Sequence, residues 1–428
     1  MRKFQSMDRR ALLKGGAAML AAPAILRASR ASAQASSFKI GFVNPATGPL
    51  AGFGEADQYI IQAAQAALAG IENNGAPVNV EIIYKDTQSS SNRAAEVTVE
   101  LIERDGVDLV VASAAPDTTN PVADQCELLE MPCVTTVAPW QPYFFGRQGN
   151  PATGFDFTYH FFWGLEDVIA NFLNLWDDAG LTSRNIAGLF PNDADGNAWG
   201  DPQLGLPPAL AARGYTTIDP GRYQVMNNDF SSQIAAFKDA GCEIVTGNMI
   251  PPDFATFWSQ AAQQGFNPRV VTIGKALLFP SVIESLGARG DNLTSEIWWS
   301  PSHPFASSLT GETSRQLADG YSAATGRPWT QPIGFIHALF EVAADVIRRC
   351  EALDDSMAVV DAIAQTDLDT IVGNVSWNGG PLNPVKNVKR TPLVAGQWQL
   401  ENGAPNLVIT NNTEAPNIPV GGAMRLIG

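Results

Sequence analysis

Lys275 stands alone in VVTIGKALLF, between a β-branched run and a second apolar run. A strand ending in Gly-Lys puts an ammonium where the strand gives way to a loop, and in open α/β sheets that is where ligands are met. Lys275 therefore either meets a ligand, extends into solvent, or pairs with an acid such as Asp253. Other chemistry-bearing groups are sparse. NDADGNAWGD (192–201) echoes a calcium loop through its D-x-D-G but lacks the closing glutamate, so a polar turn before a helix N-cap is the expectation. His160, His303 and His337 are far apart and form no H-x-x-x-H pattern, which speaks against a metal site. Neither a G-x-S-x-G elbow nor a G-x-x-x-x-G-K-[ST] loop occurs, so hydrolase and ATPase chemistry lack their parts. No catalytic residue and no cofactor is expected; the chemistry open to Lys275 is binding.

The elements that would position Lys275 alternate β-branched runs with longer helical patterns. FKIGFV (38–43), VNVEIIYKD (78–86), VDLVVAS (107–113) and PCVTTVA (132–138) are strands, separated by helices over 56–73, 92–104 and 120–129. The series restarts with a helix over 166–179. Strands NIAGLF (185–190), YTTIDPGRYQ (215–224), EIVTGNM (243–249), RVVTIGK (269–275) and SEIWWS (295–300) follow, with helices over 201–213, 230–240 and 254–264. Two βα series of similar length predict an α/β fold of two doubly wound parallel-sheet lobes. Helices over 312–325, 334–350 and 357–366, a strand TIVGNVSW (370–377), and the short strands TPLVAGQWQL and NLVIT complete the chain.

The first 33 residues read as an export signal. Arg9-Arg10 is followed by Ala11-Leu12-Leu13-Lys14, a mildly apolar stretch to Leu26, and the A-x-A pattern Ala31-Ser32-Ala33. The stretch resembles a bacterial twin-arginine signal, with an ordinary secretory signal as the alternative. A periplasmic location and dependence on the twin-arginine export machinery follow as expectations. Without residues 1–33 the chain carries 20 basic and 42 acidic residues (27 − 7 and 43 − 1), a charge of −22. That balance excludes nucleic acid and anionic membrane surfaces as natural partners. The four cysteines match no zinc or redox spacing; Cys126 and Cys133 either form a disulfide or are buried free thiols.

Along essentially the whole remaining chain, the order of elements resembles the type I periplasmic binding proteins of ABC importers, in the leucine/isoleucine/valine-binding group. The resemblance is carried by KIGFVNPATGPLAGFGE, VDLVVASAAPDTTNPVAD, NMIPPDFATFWSQAAQQGFNPRVVTIG and DTIVGNVSWNGG, in that order. It implies two lobes joined by a three-strand hinge, with crossovers near 158–160, 300–303 and 373–377. Lobe 1 would comprise 34–158 plus 302–374, and lobe 2 would comprise 159–301 plus 375–428. A monomer would close by hinge motion around a small-molecule ligand and then dock on a permease in the inner membrane.

The cleft would be lined by loops 47–54, 112–118 and 136–143 of lobe 1 and by 192–200, 248–253 and 274–277 of lobe 2. From these loops Phe53, Pro116, Asp117, Ala138, Trp140, Trp199, Met249 and Lys275 are the expected ligand-binding residues. Family members that hold α-amino acids use hydroxyls in the second and third lobe-1 loops and an acid in lobe 2. Those positions fall here near Pro116, near Pro139–Trp140, and on Lys275, so the chain departs from the amino acid pattern. A ligand ammonium ~4 Å from an unpaired lysine costs roughly 4 kcal/mol at an effective dielectric of 20, about three decades of affinity. The expected ligand is therefore a carboxylate without an α-amino group. The ten tryptophans, of which Trp140, Trp163, Trp199, Trp298, Trp299, Trp329 and Trp377 fall near strand ends or crossovers, suit an aromatic body. A branched-chain or other amino acid, a betaine-like cation held by aromatic faces, and a ligand-sensing partner of a receptor or regulator are the alternatives.

Overall fold

The computed structural model describes residues 36–428; the signal segment lies outside the described residues. Its first strands are β1 (Ser36–Asn44), β2 (Glu72–Asn73), β3 (Ala76–Asp86), β4 (Leu109–Ala112), β5 (Cys133–Thr136) and β6 (Thr158–Phe161). They are followed by β7 (Asn185–Leu189), β8 (Thr216–Ile218), β9 (Ile244–Asn248), β10 (Val270–Gly274) and β11 (Thr294–Ile297). The hairpin β12 (Asp367–Thr370) and β13 (Gly373–Ser376), then β14 (Val388–Lys389), β15 (Val394–Glu401) and β16 (Ala404–Asn411), close the series. Two seven-stranded sheets result, ordered β14-β6-β5-β4-β1-β3-β2 and β16-β15-β11-β10-β9-β7-β8. All pairings within β1, β3–β11 and β14 are parallel, whereas β15 and β16 add antiparallel to the edge of the second sheet.

Each parallel sheet is covered on both faces, which is why its strands read as nearly continuous apolar runs. In β4, Leu109 and Val111 pack toward the helices Asp57–Leu68 and Pro332–Arg349. Val110 and Ala112 of the same strand pack toward the helices Ser91–Val99 and Pro116–Leu128, as the period of two demands. The helix Pro332–Arg349 is buried along nearly its whole length. It belongs to a core that runs without a break from the first sheet through Phe162, Trp298 and Trp299 into the second.

The chain changes sheets three times: after β6 at 162–164, after β11, and between β14 and β15 at 390–393. The last passage lies later than 373–377, because 370–377 folds as a hairpin and Val388 then pairs with His160 to return the chain to the first sheet. Expected strand 215–224 shrinks to Thr216–Ile218, ended by Pro220-Gly221. The expected helix over 201–213 shortens to Leu206–Ala212, and a separate short helix, Ala194–Trp199, forms before it where a polar turn was expected. Cys126 and Cys133 are buried free thiols; burial first, and then the neighbouring Cys133, pushes the Cys126 thiol well above its ordinary pKa. No helix among the described residues is long and apolar enough to cross a membrane.

Candidate functional site

The carboxyl ends of the parallel strands in the two sheets face one another, and the loops leaving them enclose a single cavity. From the first sheet come Phe53, Ala115, Val137, Pro139, Phe162 and Trp163; from the second come Asp195, Trp199, Asn248, Lys275, Leu278, Glu296 and Trp298. The cavity has a volume of about 30 Å³, within a space of about 340 Å³ that includes its open mouth. That is above the ~10–15 Å³ threshold for holding a water and near the ~30 Å³ that one water occupies in the liquid, so the space is water-sized. The lobes are thus nearly shut.

Lys275 is set in place at both ends. β10 stops at Gly274, and Lys275 follows with φ 67° and ψ −54°, a tight-turn conformation that is strained for any residue with a Cβ. Its backbone N–H donates to Glu296 Oε1 at 3.1 Å from the neighbouring strand β11. Its ammonium lies 3.2 Å from Asp195 Oδ2 and 3.7 Å from Asp193 Oδ2. Asp193 in turn N-caps the helix Ala194–Trp199, accepting the Gly196 N–H at 2.6 Å, so the D-x-D-G stretch forms a capped turn that delivers two carboxylates to the lysine. Among the described residues no group of three or more His, Cys, Asp or Glu is arranged to hold a metal ion. A Cβ on Gly274 would come within 2.7 Å of the Trp199 ring, so glycine there lets the indole lie against the strand end.

The electrostatics differ from those of a lone ammonium. Burial lowers the Lys275 pKa, but Asp193, Asp195 and Asp117 outweigh it and hold the group charged. Asp195 is raised to about 6, first by burial, against the pull of Lys275 and with the push of Asp193 and Asp117. Burial raises Glu296 to about 7, while the Lys275 N–H and the Ser295 hydroxyl pull it back. Asp117 enters from the facing lobe at the start of helix Pro116–Leu128; burial raises it, and Lys275 and the Ala194 N–H lower it. Three aspartates, Asp193, Asp195 and Asp117, therefore act on one ammonium while Glu296 holds the backbone beneath it, and the expectation of an unpaired Lys275 is corrected: its partners are Asp193 and Asp195 rather than Asp253.

The cavity walls hold polar atoms that lack partners. The indole N–H groups of Trp163, Trp199 and Trp298, both polar atoms of the Asn248 amide, and Asp195 Oδ1 are all buried and unsatisfied. Buried polar groups in native proteins are nearly always paired, so their concentration around one space points to a guest. Aromatic faces supply the rest of the wall: Phe162 lies 4.8 Å from Trp163 and 5.2 Å from Trp298, and Trp163 lies 6.5 Å from Trp199.

Of the residues expected from sequence, Phe53, Trp199 and Lys275 line this cavity, and Asp117 reaches it through the charge cluster. Pro116, Ala138 and Met249 are buried one residue away from the lining Ala115, Val137 with Pro139, and Asn248 respectively. The Trp140 indole donates to both Glu166 oxygens at 3.0 and 3.2 Å, and its ring packs on Phe144 and Phe145 rather than on the cavity. Asn248 lies in the expected cleft loop 248–253 without being among the expected binding residues, whereas Glu296 lies outside every expected loop. The second had a visible signal, a lone acid in the strand SEIWWS.

A family model described as periplasmic binding protein matches residues 37–389. No curated protein matches the chain. Among solved structures, a leucine binding protein from Thermotoga maritima is 18% identical with a TM-score of 0.69, over 88% of this chain and 99% of that one. A branched-chain amino acid transporter substrate binding protein from Streptococcus pneumoniae, in complex with isoleucine, is 17% identical with a TM-score of 0.67, over 87% of this chain and 100% of that one. An ABC transporter solute binding protein from R. palustris, in complex with 4-hydroxybenzoate, is 14% identical with a TM-score of 0.71, over 88% of this chain and 96% of that one. At such identities the likeness speaks for the fold, and ligand identity must come from the site.

Proposed function

We propose, from the premise that the chain belongs to the periplasmic binding protein family, that it captures a small organic acid with a flat aromatic body between its two lobes. The observation that carries this reading is the set of three unpartnered indole N–H groups and one unpartnered amide around an aromatic-walled cavity. Four unpaired donors against two unpaired acceptors, Asn248 Oδ1 and Asp195 Oδ1, favour a guest with more acceptor oxygens than donors, because each group left unpaired inside the closed cleft costs about 1–3 kcal/mol. Carboxylate and phenol oxygens on a ring meet that requirement, and the ring is suited to stacking on Phe162, Trp163 and Trp298. Lys275 contributes a further donor, held in place by Asp193 and Asp195. The guest would touch both lobes, so its binding energy favours the closed state. Capture in the periplasm after twin-arginine export, delivery by a monomer to an inner-membrane permease, and the absence of covalent chemistry complete the proposal.

An amino acid is the second reading. The carboxylates of Asp195 and Asp117 offer an ammonium partners of the right sign, so the presence of Lys275 no longer excludes one. Thermal-shift and calorimetric titrations with benzoate and 4-hydroxybenzoate against leucine, phenylalanine and glycine betaine separate the two. The acids are expected to raise the melting temperature and the amines to leave it unchanged; stabilisation by amines alone would overturn the ligand class while leaving a binding protein.

A further inference from the structure

The charge count around the cavity leads one step further, resting on the reading that the guest is an acid. Asp195 is almost fully buried. Its Oδ2 lies 3.2 Å from the Lys275 ammonium, while its Oδ1 is buried without a partner, and the residue itself lines the cavity. Facing it are Asp193 from its own turn, Asp117 from the opposite lobe, Glu296 from β11, and Lys275, the sole cation among the described lining residues. With all of these ionised the cluster is −3; Glu296, raised to about 7, already shares a proton with solvent at neutral pH, so the count there lies between −2 and −3, and an acidic guest adds a further negative charge inside closed aromatic walls, where charge is poorly screened. Something must neutralise the excess. Both Glu296 oxygens already accept hydrogen bonds, from the Lys275 N–H and the Ser295 hydroxyl. Asp195 Oδ1 is the one buried carboxylate oxygen of this cluster that has no partner, so a proton placed there gains a hydrogen bond only to a guest.

We propose that capture of an acidic guest takes up one proton from solvent onto Asp195, whose Oδ1–H then donates a hydrogen bond to an oxygen of the guest. The proton returns to solvent when the lobes part and the guest leaves. No bond other than O–H is made or broken. The free-state value of Asp195, about 6, places the group where such uptake is accessible. The sign follows. The protonated form binds, so the Asp195 pKa is higher in the complex than in the free protein. Affinity is complete below the free-state value and falls as pH rises through the window between the two.

Calorimetry of 4-hydroxybenzoate in buffers of different ionisation heat, from pH 5.5 to 8.5, tests this. The expected result is net uptake approaching one proton at neutral pH, with Kd rising by up to ~10-fold per pH unit above the free-state value. In Asp195→Asn the slope is expected to flatten and the uptake to disappear. Binding with constant Kd and no proton exchange would overturn the linkage while leaving the acid-binding reading intact. Leucine or choline binding with proton release, and no response to 4-hydroxybenzoate or benzoate, would overturn both. A measurement on the free protein is independent of any guest: infrared difference spectra between pH 5 and 8 of a Glu296→Gln background, which removes the band of the other raised carboxyl, should contain a buried carboxylic-acid band that the additional Asp195→Asn change abolishes. If the band is absent, the proposal falls.

Discussion

At the scale of single residues, the site is a set of polar groups held where they cannot satisfy themselves. Trp199 is the clearest case. Its ring is locked between Phe172 and Trp163 and against Gly274, yet its N–H has no partner. Trp199→Phe keeps a flat ring and removes the donor. Losing an unpaired buried N–H offsets the smaller packing, so stability should change by no more than about 1 kcal/mol. Affinity for the guest should fall about tenfold, the worth of one hydrogen bond. Thermal melts and calorimetry on the same variant check both halves; a large loss of stability with unchanged affinity would make Trp199 a packing residue only. What sequence could and could not reveal at this scale turns on where the pleat ends. Lys275 was legible because a lone charge after a buried strand has few explanations. Pro116, Ala138 and Met249 stand one position from lining residues just past the strand ends, where Ala115 and Val137 take positive φ and Pro116 already opens a helix, so no strand period tells which residue faces the cavity. The direction of the Trp140 ring was not legible, because it depends on Glu166, a partner 26 residues away.

At the scale of elements, the central strands could be read from sequence because burial on both faces leaves runs of Val, Ile and Leu. The hinge strands could not. β14 is two residues long, carries no periodicity, and is a strand only because Val388 and Lys389 find His160 and Phe161. Glycine marks one further element-level constraint. Gly247 sits inside β9 with φ 148°, and a Cβ there would lie 1.9 Å from the Leu189 carbonyl oxygen of β7. The clash is with backbone, so a rotamer change cannot relieve it, and the two strands would have to part. Gly247→Ala is therefore expected to cost about 3 kcal/mol or more, seen as a lower denaturation midpoint. Because Asn248 follows directly and lines the cavity, guest affinity should drop in the fraction that remains folded. A variant with wild-type midpoint would show that β9 has slack that its pairing with β7 does not suggest.

At the scale of the whole molecule, the two lobes are held together across the cleft even before a guest is considered. Phe53 of the first lobe meets Phe279 of the second with ring centres 5.1 Å apart. Asp117 crosses to the Ala194 N–H and to Lys275. The cavity between them, about 30 Å³, is too small for the proposed aromatic acid, so that guest could enter only if the lobes part and close again around it. The closed state of the free protein then depends in part on Asp117. Asp117→Asn keeps the shape and an acceptor for Ala194 but removes the attraction to Lys275. A partly buried pair of this kind contributes about 1 kcal/mol, so the ratio of closed to open molecules should fall roughly fivefold. Affinity is a poor gauge of that change, since removing a negative charge from the cavity favours an acidic guest while weaker closure opposes it. The radius of gyration of the free protein isolates closure: small-angle scattering should find the Asp117→Asn variant more expanded than the parent, and both should contract to the same value with saturating guest. Identical free-state radii would mean that the aromatic contacts alone hold the lobes, with Asp117 acting only on the charge of the site.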